Sequence, residues 1–378
     1  MNILIATNSF KNFASSQEIS VWLSKGITSL HPDASIKILP FTDGGEYTID
    51  ALIKACGGSL LKRKAHDLFF NVVEVDIGIL NTQEKTAVIE IVQTCGSGRL
   101  NGRKQSPLVS SSYGVGEMIQ LAMDDDCEPI LIALGGALSC DGGMGATQAL
   151  GAKFLNFQGL PLKPIGNQGF NVQSLSQIHT IDMSKFDKRV QAHHFNLVAD
   201  VKAPLLGPNG QARMFGAQKG ATPSQIEFIE ESLSHWNDVL NKTFGKSFNI
   251  ESAGSGGGMG SGLAAFLGGT FHKGAKIIFE YSNFEEKLDW ADVVITGEGK
   301  FDKTSLLGKA PFAVAEKAKL RGKYVVGVFG LLGEGMVDDH PYFDSIFQIN
   351  ELNRNAEPII QCGKKVGVHL YEKKYQFI

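Results

Sequence analysis

The sequence runs to 378 residues, 43% hydrophobic and 20% charged, which is material for roughly two to three packed domains. A net charge of −3 excludes the broad basic surface of a nucleic-acid binder, and no apolar run is long enough to span a membrane. Five scattered cysteines without a Cys-x-x-Cys pair exclude a zinc ribbon or redox dithiol, and 44 glycines stand well above the usual share of about 7%.

In chain order, Asn2–Ala6 reads as a short apolar strand and not as a leader, and the thiols read as reduced, so the expected compartment is the cytoplasm. Ser15-x-x-Glu18 is a capping box that opens a helix, along which Ile19, Trp22, Leu23, Ile27 and Leu30 recur at helical spacing. His31-Pro32-Asp33 stops that helix, and Ile36–Leu39 supplies the next strand. Further on, Thr86–Ile91 and Ile130–Leu134 read as strands with a helix over 112–123 between them, and Gln158–Ser174 reads as a surface loop. Thr222-Pro223-Ser224-Gln225 is a second capping box, followed by an apolar stripe of Ile226, Ile229, Leu233, Trp236 and Leu240. The strand–helix–strand grammar returns with Val293–Thr296, a helix over 309–320 and Tyr324–Val328. The fold expected is α/β with two lobes, one sheet built from both chain ends (1–65 and 285–378) and a mixed α/β domain inserted between (66–284).

Ligands of open α/β sheets sit beyond the carboxyl ends of strands, so the loops after strands carry the search for chemistry. Five glycine-containing segments stand out: Asp43-Gly44-Gly45-Glu46, Gly135-Gly136 with Asp141-Gly142-Gly143, Gly207-Pro208-Asn209-Gly210, the run Gly254 to Gly262, and Gly297-Glu298-Gly299. Glycine lets backbone approach a ligand and aim successive N–H groups at an anion, and Leu263–Leu267 after the long run reads as a helix start that would complete a phosphate cradle. A single glycine pair most often makes only a tight turn, a single acid an Asx-turn and a single lysine a solvated charge. The argument therefore rests on Asp43, Glu46, Asp141, Asp200, Glu298 and Asp302 lying in or beside such loops together, with Lys11, Lys219 and Lys309 nearby. Carboxylates that hold Mg²⁺ and orient a hydroxyl, with cations for the transferred charge, are what phosphoryl transfer requires. The commonest cradles are missing: Leu240 stands where Gly245-Lys246-Ser247 would need its first Walker A glycine, and no strict G-x-G-x-x-G occurs. Gly260-Ser261-Gly262 with Ala265 meets the looser form but follows no clear strand. His193-His194 and Cys140 read as structural, since neither has the partners that a metal site or a nucleophile needs.

These segments resemble the bacterial type-1 glycerate kinase (glycerate 2-kinase) family from the first strand to about Val328. The matching stretches are Ser9-Phe10-Lys11, Asp43-Gly44-Gly45-Glu46, Pro107-Leu108 with Tyr113-Gly114, and Asp141-Gly142-Gly143 with Gln148-Ala149-Leu150-Gly151. Asp200-Val201, Phe215-Gly216 with Gln218–Pro223, Ile295–Gly299 with Asp302, and Gly308-Lys309-Ala310-Pro311 complete them. The resemblance implies a flavodoxin-like lobe from both chain ends, an inserted mixed lobe, and ATP- and Mg²⁺-dependent phosphorylation of D-glycerate to 2-phosphoglycerate in the cleft between lobes. On this reading Asp200 orients the acceptor hydroxyl, while Lys11, Asp43 and Lys219 are catalytic companions. Gly142, Gly143, Gly256, Gly257, Gly258, Gly297, Gly299 and Lys309 bind the nucleotide, and Glu46, Glu298 and Asp302 hold the metal. The partners are a hydroxy acid and a nucleotide, with neither nucleic acid nor membrane, and a homo-oligomer is left open. Departures fall inside the motifs: the family usually has Asp at Asn8, Thr-Asn at Ser139-Cys140 and at Lys202-Ala203, Arg at Lys300 and Gln-Thr at Thr304-Ser305. They bear on the acceptor, so a kinase for another small hydroxy or sugar acid is the alternative, ahead of an inactive ligand-binding relative.

Overall fold

The structure, a computed structural model, describes residues 1–10, 13–42, 44–165, 169–302, 305, 310–333, 340–349 and 355–373. Its strands in chain order are β1 (Asn2–Ile5), β2 (Ser35–Ile38), β3 (Gly58–His66), β4 (Val72–Asn81), β5 (Lys85–Glu90), β6 (Ile130–Ala133) and β7 (Lys153–Leu155). They continue with β8 (Thr180–Asp182), β9 (Phe195–Val198), β10 (Thr270–His272), β11 (Val293–Phe301), β12 (Tyr324–Leu332) and β13 (Ser345–Gln348). Two compact units divide the chain: residues 1–43, 50–57 and 273–378 form one, and residues 44–49 and 58–272 the other. Among the described residues no helix is long and apolar enough to cross a membrane.

The unit that holds both chain ends carries a five-stranded sheet in the order β2-β1-β11-β12-β13, every pair parallel. Counted along the chain this is the order 2-1-3-4-5 of the flavodoxin-like fold, whose direction reverses between β1 and β11. Ile3, Ile5, Val293, Ile295, Val326 and Val328 are fully buried in its core, as strands covered on both faces require. The expected capping box forms: Ser15 takes the Glu18 N–H at 3.2 Å and the Glu18 carboxylate takes the Ser15 N–H at 2.9 Å. The helix Ser16–Thr28 that it opens crosses the helix Glu357–Glu372 at Gly26 and Gly363. A Cβ on Gly26 would lie 2.2 Å from the Ile360 carbonyl oxygen, so the two backbones approach as only glycine allows.

One strand runs longer than the sequence reading. The strand expected to stop at Thr296 runs on to Phe301 and stays paired with β12, with Glu298 opposite Phe329 and Lys300 opposite Leu331. Gly297-Glu298-Gly299 is therefore strand and not loop. The reason is local: a Cβ on Gly297 would sit 1.7 Å from the Val328 carbonyl oxygen, so glycine is what lets β12 pair there.

The larger unit carries a six-stranded sheet in the order β10-β9-β6-β5-β4-β3. Its β10, β9, β6 and β5 are parallel, while β4 and β3 add antiparallel strands at one edge. Strands β7 and β8 form a separate antiparallel pair. The helix Pro223–Phe244 has its capping box and buries Ile229, Leu233, Trp236 and Leu240. Gln158–Ser174 is not all surface loop. Phe170 and Val172 are buried, the Phe170 ring meets Phe154 edge to face at 5.5 Å, and a short helix begins at Val172. Apolar residues late in a polar segment anchored it to the core.

Candidate active site

In the flavodoxin-like unit the switch point lies at the carboxyl ends of β1 and β11. Hydrogen bonds from Ala6 N to Ile295 O and from Asn8 N to Gly297 O, both 2.8 Å, carry the β1–β11 register past the end of β1. Extended by three residues from the pair Ile5–Ile295, that register sets Asn8 opposite Glu298. Both side chains are buried, at 3% and 7% exposure. Asn8 Oδ1 accepts the Ser9 N–H at 2.8 Å, and Thr296 Oγ1 donates to Ala6 O at 2.7 Å, which fixes the backbone of the turn. Beyond the strand, Lys300 pairs with Asp302 at 3.3 Å, and the Asp302 N–H is held by Ser305 Oγ at 3.2 Å. Lys11, Asp43 and Lys309, also expected here, lie outside the described residues.

Magnesium is typically held by one or two carboxylates, with substrate phosphates and water completing six oxygens. Glu298 and Asp302 supply that donor type, so the residues present fit the ion. In the Lys300–Asp302 pair the lysine is exposed and the carboxylate half-buried, and the pair contributes about 0–1 kcal/mol.

In the larger unit, loops gather over the carboxyl ends of β5, β6 and β9. Gly44, at φ +76°, lies so close to β9 that a Cβ would meet Val198 O at 2.9 Å. The Gly135 N–H after β6 donates to Gly44 O at 2.9 Å. The Glu90 carboxylate at the end of β5 accepts the Ile49 N–H at 2.7 Å. These contacts fix the turn from which the exposed Glu46 projects. Asp200 lies two residues beyond β9 and is half-buried. Glu90 escaped the sequence reading, although an acid at the end of the apolar run Thr86–Ile91 was the available signal.

Asp141 is fully buried and accepts from Ser112 N (2.8 Å), Ser112 Oγ (2.7 Å), Gly145 N (3.1 Å) and Gly143 N (3.3 Å). Burial raises its carboxyl above the ordinary range, against the opposing pull of those donors. It is a structural knot at the start of the helix Met144–Ala149. Gly142 and Gly143 are equally committed: the Gly142 N–H donates to Gly257 O at 3.2 Å, and its carbonyl accepts the Trp236 indole N–H at 3.0 Å. The Gly142 N–H supports the neighbouring glycine turn, and the Gly143 N–H is spent on Asp141. Burial pushes the Cys95 thiol in this region up to about 12.

That neighbouring turn is Gly256-Gly257-Gly258, at φ +62°, +75° and +82°, and it opens the helix Met259–Leu267. Three successive positive φ values are accessible only to glycine. Lys219, 6% exposed, donates from Nζ to Ser139 O at 2.9 Å, and its Nζ lies 3.0 Å from where a Gly257 Cβ would be. The structure thus brings Lys219 and the glycine run together, and it sets Asn8 beside Glu298.

The profile of the glycerate kinase family matches residues 3–374. The chain is 36% identical to the glycerate 2-kinase of Escherichia coli over 352 residues, covering 92% of this chain and 90% of that one. It is also 36% identical to the glycerate kinase of Halalkalibacterium halodurans over 334 residues, covering 88% and 86%. Its fold is similar to the crystal structure of a protein assigned as glycerate kinase 2 from Salmonella typhimurium, with a TM-score of 0.84, 31% identity and 99% of each chain covered.

Proposed function

The chain belongs to the glycerate kinase family, and we propose that it is a small-molecule kinase that moves the γ-phosphoryl group of ATP to the 2-hydroxyl of D-glycerate. The observation that carries this reading is the buried Glu298 carboxylate at the switch point of a 2-1-3-4-5 sheet, where open α/β sheets take their ligands. The transfer is in line, so positioning and charge neutralisation supply most of the catalysis. Asp200 accepts the proton of the acceptor hydroxyl as the oxygen attacks phosphorus. Lys11, Asp43 and Lys219 set the charge around the transferred group. Glu298 and Asp302 would hold Mg²⁺, which when bound would offset negative charge on the phosphoryl oxygens. Gly256, Gly257 and Gly258 receive phosphate, with Gly142 and Gly143 behind them and Gly297, Gly299 and Lys309 as the remaining nucleotide set.

ADP release with Mg²⁺-ATP and a panel of hydroxy acids tests this, and the regiochemistry of the product follows from its phosphorus NMR spectrum. Turnover with D-glycerate and formation of the 2-phosphate is the expected result. Turnover of a longer sugar acid alone would favour the second reading, which Asn8 at the switch point motivates. Absence of turnover with every acid would remove the kinase.

A further inference from the structure

We propose that Lys219, Ser255 and the amides of Gly256 and Gly257 form one preformed subsite for a phosphoryl group, able to take inorganic phosphate with neither nucleotide nor metal. The proposal rests on the kinase reading only for the origin of the ligand.

Lys219 is an ammonium buried to 6% exposure, and among the described residues no carboxylate lies within ion-pair distance of it. Its one hydrogen bond goes to Ser139 O, which leaves two of its three N–H donors. A buried cation without a counter-ion is strongly unfavourable in an apolar interior, so a protein that keeps one gains by binding an anion beside it. Gly257 adjoins its Nζ, and the turn that Gly257 belongs to holds unspent donors. Gly142, Gly143, Gly258 and Gly260 all commit their N–H groups within the protein. Those of Gly256 and Gly257 make no hydrogen bond among the described residues. Ser255, 6% exposed and next in the chain, has an Oγ with no partner among the described residues. Behind the turn stands the amino end of the nine-residue helix Met259–Leu267, whose dipole favours negative charge.

The count of donors selects the ligand. Two N–H groups of Lys219, two glycine amides and one hydroxyl make five, more than the four lone-pair positions of a carboxylate can use. A phosphoryl group offers three terminal oxygens that are strong acceptors, and it absorbs all five. Gly257 is the fixed point of the pocket: a Cβ there would lie 1.8 Å from Ser139 O and 3.0 Å from Lys219 Nζ, displacing both.

Calorimetric titration of the full chain with inorganic phosphate, without ATP or Mg²⁺, tests the subsite, with glycerate titrated separately. Wild-type protein is expected to bind phosphate, and Lys219→Met to weaken that binding by about ten- to a hundredfold, the loss of a hydrogen bond to a charged group. Ser255→Ala is expected to weaken it by about tenfold or less. Thermal melting keeps the test independent of folding: Lys219→Met should melt no lower than wild type when apo but lose the upward shift given by phosphate. If Lys219 is only a tether for Ser139, the variant melts lower and still answers to phosphate, and the proposal fails. It fails too if wild type binds no phosphate, or if glycerate displaces phosphate from the pocket. Phosphate binding without turnover of any acid leaves the subsite standing and removes the kinase reading. Turnover without phosphate binding does the reverse.

Discussion

Replacing Asn8 by Asp would place two carboxylates side by side at the switch point. Asn8 and Glu298 are in register across β1 and β11, so their side chains leave the same face with Cβ atoms about 5 Å apart. Two unit charges at that separation repel by about 3 kcal/mol at the effective dielectric of a protein site. With chelator present, Asn8→Asp should therefore be less stable than wild type by roughly 1–3 kcal/mol at pH 8, a fall in Tm of about 3–8 °C. Near pH 5 the pair can share a proton and the difference should shrink. Added Mg²⁺ should close it at pH 8, because a cation between two carboxylates converts repulsion into ligation. D-Glycerate turnover should rise in the same variant if the amide at position 8 is what narrows activity. Melting curves in chelator and in Mg²⁺ at both pH values decide the matter. A variant whose Tm ignores both pH and Mg²⁺ would show that position 8 does not face the Glu298 charge and that the metal assignment is wrong.

Three further outcomes test other parts of the structure. Cys140→Asn should stabilise the protein by about 1 kcal/mol in urea unfolding, because among the described residues the buried Gln211 has only the Cys140 sulfur for its Nε2 and nothing for its Oε1. A loss of stability would mean the pocket cannot hold the longer side chain. Gly26→Ala should destabilise by roughly 1–3 kcal/mol despite an intrinsic helix gain of about 1 kcal/mol, since its Cβ collides with Ile360 O at 2.2 Å; a rise in Tm would contradict the close crossing. His369 Nε2 lies within hydrogen-bond distance of the Tyr324 and Ser345 hydroxyls at 2.8 and 2.7 Å, and burial lowers its proton affinity first, with Lys373 adding to this. The unfolded chain therefore binds the proton more readily, so stability should fall as pH drops from about 7 towards 5, and His369→Gln should flatten that slope in Tm.

The fold was legible wherever local pattern and final environment agree. The capping boxes at Ser15 and Thr222 appear as read, because that signal acts within a few residues; of the stripes behind them Ile19, Leu23, Ile27, Ile229, Leu233, Trp236 and Leu240 are buried, while Leu30 lies past the first helix and is exposed. The flavodoxin-like order came from the resemblance, since pairing β1 with β11 joins residues nearly 290 apart and no local signal encodes it. The end of β11 was misjudged for a related reason. Gly-Glu-Gly reads as a turn from its own composition, and only the approach of β12 makes it strand. At the site, the residues were identifiable by type but their commitments were not. Asp141 looked like the other loop acids, yet four donors and full burial hold it as a structural group. Lys219 was expected as a catalytic companion, but neither its burial nor its bond to Ser139 O was legible in its neighbours along the chain.

Glycine illustrates why a count of motifs cannot locate a phosphate. Space and backbone angle both require glycine here, and neither says what its N–H does. At Gly26 and Gly297 a helix carbonyl and a strand carbonyl occupy the space of a Cβ. Gly142 and Gly257 combine such crowding, by the Trp236 ring and by Ser139 O, with positive φ, yet the Gly142 N–H is bonded to Gly257 O. The amides of Gly256 and Gly257 make no hydrogen bond among the described residues. A left-handed turn that ended in satisfied amides would be a packing device. One that leaves two donors unspent beside a buried ammonium is a costly arrangement for the folded chain alone, and such costs are expected where binding has set the sequence. The distinction between a glycine that packs and a glycine that donates is therefore drawn by where its N–H goes, which the sequence does not state.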